Sequence, residues 1–134
     1  ATHDGRSFPA MAVSEAADVE LESEQFDFIG IDEVQFFGPP IVAVCDRLLA
    51  AGKELIVVGI DFNVRGKPFE PFPALKARAS QISVMQCECD ICGRPARHSQ
   101  RLTPVVNNNW VGGRESYSPR CQDCFEPYQG ELEP

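Results

Sequence analysis

The chain has 134 residues, 43% of them hydrophobic, with a net charge of −8 and a pI near 4.7, which suits one modest domain with a small appendage. That acidic balance argues against a surface built to coat nucleic acid or anionic lipid, partners that reward Lys and Arg, and favours a small solute. No stretch approaches the ~18 uninterrupted apolar residues of a membrane span and "ATHDGRSFPA" lacks the basic-then-apolar build of a signal peptide, so no membrane partner is expected and the expected compartment is the cytoplasm, where thiols stay reduced.

In chain order, the acidic segment "SEAADVELESEQ" reads as an exposed helix or loop, its charges a solvated face. Phe26 to Ile31 is a continuous apolar run and reads as a strand. "PPIVAVCDRLLAAGK" then places Ile41, Val44, Cys45, Leu48 and Leu49 at helical spacing, with Pro40 in the first turn and Gly52 at the C-terminal cap. Cys45 falls on the inner face as a core residue. Leu55 to Ile60 is a second apolar run. Neither run alternates, which predicts parallel strands covered on both faces and joined as a βαβ unit. In such units ligands collect at the carboxyl ends of the strands, where Asp32, Glu33 and Asp61 fall.

The adjacency of Asp32 and Glu33 needs its own account, because neighbouring strand residues point to opposite faces and cannot share one partner. An apolar strand running into Asp and Glu has the shape of the metal-side motif of nucleotide hydrolases and kinases, in which one carboxylate serves Mg²⁺ and another accepts a proton. The plainer reading is a strand end capped by two solvated acids.

Further along, "CDICG" and "CQDCF" supply Cys89, Cys92, Cys121 and Cys124, two C-x-x-C pairs separated by 28 residues. Two intervening residues let both thiolates of a pair turn onto one tetrahedral cation, so the pattern predicts a structural zinc site; disulfides are the alternative. A closed four-sulfur site leaves no position for substrate. Arg94, Arg97, His98, Arg101, Arg114 and Arg120 lie close in sequence to offset its negative charge. Cys87 is either a further thiol near the metal or, preferably, a residue that packs within a strand. Between the pairs, Val105–Val106 and Trp110–Val111 suggest two extended arms around Asn107 to Asn109, and Gly112 and Gly113 allow close backbone approach. This is either an ordinary surface hairpin or a loop wrapped over a ligand.

Together "IGIDEVQFF", "AGKELIVVGIDFNVRGKPF", "CDICGRPARHSQRL" and "VGGRESYSPRCQDCF" resemble the zinc-containing thymidine kinases, in the family's order from "THDGR" to Phe125. The resemblance implies an α/β fold. It would be a P-loop-kinase-like parallel sheet with helices, its first strand and phosphate loop missing here, plus a small zinc-ribbon-like lobe carrying a lasso loop. The domains would be a partial nucleotide-kinase domain over 1–86, the zinc lobe over 87–126 and a tail over 127–134. The implied activity is ATP-dependent phosphorylation of the thymidine 5′-hydroxyl, with structural Zn²⁺, Mg²⁺ with ATP, and a homotetramer. Glu33 would be the general base and Asp32 would serve Mg²⁺. Asn108 to Gly112, including Trp110 and Val111, would form the lasso around thymine through backbone groups, with Tyr117 closing the pocket, Ser99 close by, and Phe36 and Ile60 lining it. Phe37 is preferred as core.

Two departures stand out. Val64 occupies a position where the family commonly has Phe, for which Phe62 would compensate only in a shifted loop. No segment reads G-x-x-x-x-G-K-[ST], and neither Gly52-Lys53-Glu54 nor Gly66-Lys67-Pro68 can substitute, since each lacks the Ser/Thr and the glycine loop of amides. The chain is therefore expected to cover about the C-terminal two-thirds of a family member and to be inactive by itself. The alternative function is a non-catalytic, kinase-like zinc module for interaction or assembly.

Overall fold

A computed structural model describes residues 5–104 and 112–130. The acidic segment forms helix α1 (Ala16–Glu22), whose inner face buries Ala16 and Val19. Strand β1 (Phe28–Ile31) pairs in parallel with β2 (Glu54–Val57), Phe28 opposite Glu54 and Ile31 opposite Val57. Helix α2 (Pro40–Ala50) connects them, giving the expected βαβ order. A single 3-10 turn, Val34–Phe37, intervenes between β1 and α2, and helix α3 (Phe72–Arg78) follows β2.

The core gathers Ile31, Val34, Ile41, Val44, Cys45 and Leu48 with Phe72 and Leu75 of α3. Phe37 packs against it, as expected. Two polar ties set the frame. Arg47 of α2 grips Glu20 of α1 with two hydrogen bonds, at 2.8 and 2.6 Å. Lys53 Nζ donates to the carbonyls of Ser23, Glu24 and Phe26 at 2.7–3.1 Å, tying the turn that follows α1 to the start of β2.

Three expectations for the first half need correction. Both strands are shorter than their apolar runs, and β2 ends at Val57 because β1 has stopped at Ile31; the Val58 carbonyl then accepts from Val34 of the 3-10 turn at 3.0 Å. The sheet is not covered on both faces: Phe28 is 74% and Ile56 71% exposed, so their face meets no layer among the described residues. Leu49 lies outside the helix seam, 45% exposed, since at 3.6 residues per turn it rotates away from the line through Val44 and Leu48.

The second half is a lobe of short antiparallel ribbons. β3 (Cys87–Glu88) pairs with β4 (Pro95–Ala96), and β5 (His98–Arg101) with β6 (Tyr117–Arg120). Cys87 sits on β3 but is exposed, so it does not pack as expected. No described helix is long and apolar enough to cross a membrane.

Candidate functional site: a carboxylate pair, an aromatic cavity and a four-cysteine cluster

The two carboxylates stand just past β1, where the chain bends sharply. Glu33 adopts φ 51° and ψ 41°, a left-handed conformation uncommon outside glycine. The bend gives the pair different surroundings. Asp32 Oδ1 accepts the backbone N–H of Glu33 at 2.9 Å, while Glu33 Oε2 accepts from Nε2 of Gln35 at 2.5 Å. Gln35 is itself buried, and its Oε1 accepts the N–H of Ile60 at 3.3 Å. Asp61, expected at the end of the second strand, lies beyond it, since β2 stops at Val57; it pairs with Lys76 at 2.7 Å and Arg97 at 3.3 Å.

Beside this bend lies a small cavity of about 30 Å³ lined by Phe36, Ile60, Phe62, Asn63, Val64, Phe69, Ser99 and Tyr117. Five residues expected to face a nucleoside, Phe36, Ile60, Val64, Ser99 and Tyr117, thus meet at one place although they come from four separate segments. Val64 is 4% exposed, and Phe62 lines the same cavity. At this volume the cavity holds about one water, so a ring must part its walls. Asn108, Trp110 and Val111 lie outside the described residues. Gly112 is described, and a Cβ there would sit 2.6 Å from the Cβ of Ser116, so its close approach is to the loop's own exit. Arg101 holds the neck of that loop: Nε donates to the Thr103 carbonyl at 2.9 Å and Nη2 to that of Pro104 at 3.3 Å, while its guanidinium lies 4.7 Å from the Tyr117 ring centre.

The cysteine pairs converge as their spacing predicts. Sγ of Cys89, Cys92, Cys121 and Cys124 all lie within 4.8 Å of one another, with Cys92 to Cys121 at 3.6 Å and Cys124 to Cys92 at 3.7 Å. Four thiolates at 2.3 Å from one tetrahedral zinc stand about 3.8 Å apart, so this donor set fits the ion, and the separations are too long for disulfides. Local turns create the cluster. Cys89 N–H bonds the Arg94 carbonyl at 2.8 Å, Gly93 N–H returns to Cys89, and Cys124 N–H bonds the Cys121 carbonyl at 3.2 Å.

The cluster's electrostatics favour thiolates at one side. Burial opposes ionisation of Cys89, but backbone donors from Cys121, Ile91 and Cys92 outweigh it and hold the thiol down at about 6. Cys92 is lowered chiefly by its hydrogen bond from Arg94. Cys124 is pushed up to about 12, mainly by hydrogen bonding with Cys121 and Cys92 and then by burial. Arg94 reaches Cys92 Sγ at 3.4 Å; of the others expected to offset the cluster, Arg97 bonds Asp61, His98 bonds Gln122, Arg101 bonds the loop neck and Arg120 bonds Ser118.

Sequence reasoning missed Gln35, Gly59 and Phe69. Phe69 carried a readable signal, as one more aromatic in the quoted "GKPF" segment. Gln35 and Gly59 carried none until the chain ends of β1 and β2 were seen side by side.

These features define a mixed α/β protein in which a short parallel sheet leads into paired carboxylates, and a small aromatic cavity lies between the sheet half and a lobe with a four-cysteine cluster. The thymidine kinase family model matches residues 1–125, and a thymidine kinase of Rhodothermus sp. (strain ITI 518) is 39% identical over 126 residues, covering 94% of this chain and 59% of the relative. The chain belongs to the thymidine kinase family. It spans 59% of the length of that curated relative.

Proposed function

We propose that this region serves ATP-dependent transfer of phosphate to the 5′-hydroxyl of thymidine. One observation carries the reading: the cavity walls Phe36, Ile60, Val64, Ser99 and Tyr117 converge beside the Glu33 carboxylate, to which Ile60 is joined through Gln35. A nucleoside base between those walls would present its sugar hydroxyl to a base already fixed at the strand end.

Glu33 takes the proton of the 5′-hydroxyl as the oxygen attacks, and Asp32 would hold the Mg²⁺ that accompanies ATP. Mg²⁺ and ATP supply the phosphoryl group and the neutralisation of its developing charge. The lasso, Asn108, Trp110, Val111 and Gly112, reads the pyrimidine edge with backbone groups while Tyr117 closes the pocket; a site that hydrogen-bonds one base edge rejects bases that cannot reciprocate. Cys89, Cys92, Cys121 and Cys124 hold a structural zinc that anchors both ends of this loop. The sheet is that of a P-loop kinase, whose G-x-x-x-x-G-K-[ST] cradle lies outside these 134 residues. The working protein is a cytoplasmic homotetramer, and its domains divide near residues 86 and 126.

The test assays a kinase of the relative's full length carrying this region, with ATP, Mg²⁺ and thymidine, alongside the 134 residues alone. The longer protein is expected to form thymidine monophosphate, and the 134 residues to bind zinc without turnover. Absence of transfer by the longer protein would favour the non-catalytic module. Normal turnover by the short one would mean that another segment cradles phosphate.

A further inference from the structure

We propose that Gln35 is a positioning residue, whose side-chain amide aims the Glu33 carboxylate and ties that aim to the wall of the nucleoside cavity; the inference rests on reading Glu33 as the base. Gln35 is 6% exposed, next to the fully buried Val34. A buried glutamine amide is costly unless both ends are satisfied, and here both are. Nε2 donates to Glu33 Oε2 at 2.5 Å, and Oε1 accepts from Ile60 N–H at 3.3 Å. The amide has one workable orientation. Flipped, its oxygen would face a carboxylate and its NH₂ a backbone N–H.

The backbone is shaped around this group from two sides. The left-handed residue Glu33 brings side chains two positions apart together. From the segment just past β2, Gly59 leaves the necessary room: a Cβ there would lie 2.2 Å from Gln35 Oε1, 3.1 Å from Phe72 Cζ and 3.3 Å from Val34 N. The next residue, Ile60, is both the donor to Gln35 and part of the cavity wall with Phe36. One amide therefore spans from the proton acceptor to the surface that seats its substrate. A flexible, exposed glutamate gains a fixed rotamer from it, and the carboxylate cannot drift without straining the wall.

The experiment uses a full-length kinase carrying this region and compares Gln35→Glu with Gln35→Met and Gly59→Ala. Gln35→Glu keeps the acceptor for Ile60 but removes the donor to Glu33 and sets like charges together. It is expected to lower kcat by roughly 10–100-fold with thymidine KM within about twofold, the pattern of a displaced reacting group over an intact pocket. Gln35→Met loses both bonds, so kcat falls and KM rises. Gly59→Ala forces the amide aside while keeping its chemistry, and kcat falls with it. Thymidine binding by calorimetry, retained in Gln35→Glu, confirms a folded pocket; should that variant not fold, Gly59→Ala decides by the same kcat reading. A purely structural Gln35 predicts that Gln35→Glu, which still holds Ile60, works like the parent, and that outcome would overturn this inference alone. A parent that transfers no phosphate to thymidine would overturn the reading of Glu33 and this inference together.

Discussion

Arg97 of the cysteine lobe donates to the carboxylate of Asp61 at 3.3 Å, bridging 36 residues of chain to join the lobe to the end of the parallel sheet. Lys76 of α3 shares that carboxylate at 2.7 Å, so three elements meet at Asp61, whose side chain is 24% exposed. Removing the shared partner leaves two cations facing each other. Asp61→Ala should therefore cost about 1–2 kcal/mol, as expected for charge-assisted hydrogen bonds that are partly shielded from water. Arg97→Met, which removes one of the two pairs, should cost less. Urea unfolding of both variants checks the order.

Cys92 Sγ lies 3.6 Å from that of Cys121 and 3.7 Å from that of Cys124, so its loss takes one of the four donors out of the proposed zinc site. Cys92→Ser should lose stoichiometric zinc and loosen the loop between the pairs, because metal-binding energy at such sites is folding energy. Elemental analysis showing full zinc with unchanged stability would sink the assignment.

The carboxylates should separate kinetically in a full-length kinase. Glu33→Gln keeps the shape and removes the proposed base, so turnover should fall by roughly 10²–10⁴ while nucleoside binding survives. Asp32→Asn should weaken use of Mg·ATP and recover in part at higher Mg²⁺. Parent-like turnover by both variants would refute the division of roles.

Arg101 grips the carbonyls of Thr103 and Pro104 and lies over Tyr117, which places one guanidinium across both sides of the loop neck. Lysine cannot reproduce that planar fork. Arg101→Lys is expected to raise thymidine KM by about tenfold with a smaller effect on kcat, since it loosens the neck of the loop proposed to cover the nucleoside and leaves Glu33 in place. Steady-state kinetics in thymidine measure the split.

Thiol labelling distinguishes the two cysteines outside the cluster. Burial pushes the Cys45 thiol up, with the neighbouring Asp46 charge adding to it, so it stays protonated and shielded inside α2. Cys87 is exposed. Iodoacetamide treatment of the zinc-loaded protein near pH 8 should modify Cys87 and spare Cys45 until the protein is unfolded, as peptide mass mapping will show.

What the chain determined by itself was local. Helix α2 follows from the 3.6-residue spacing of Ile41, Val44, Cys45 and Leu48, and the cysteine cluster follows from two short pairs whose turns aim their thiols together before the rest of the fold intervenes. The carboxylates at the close of β1 were visible as an apolar run ending in charge. The family resemblance added Phe36, Ile60, Val64, Ser99 and Tyr117, and the structure sets all five around one cavity. Tertiary structure alone decided the rest, because each remaining feature depends on a neighbour distant in sequence. Phe28 and Ile56 read as doubly covered strand residues, yet what covers a sheet face is a partner layer that an apolar run cannot name. Asp61 became an ion-pair hub only when α3 and the cysteine lobe were brought to it. Gln35 acquired meaning only when parallel pairing of β1 with β2 set Gly59 and Ile60 against its amide, since hydrogen bonds between strand ends are fixed by register and not by spacing along the chain.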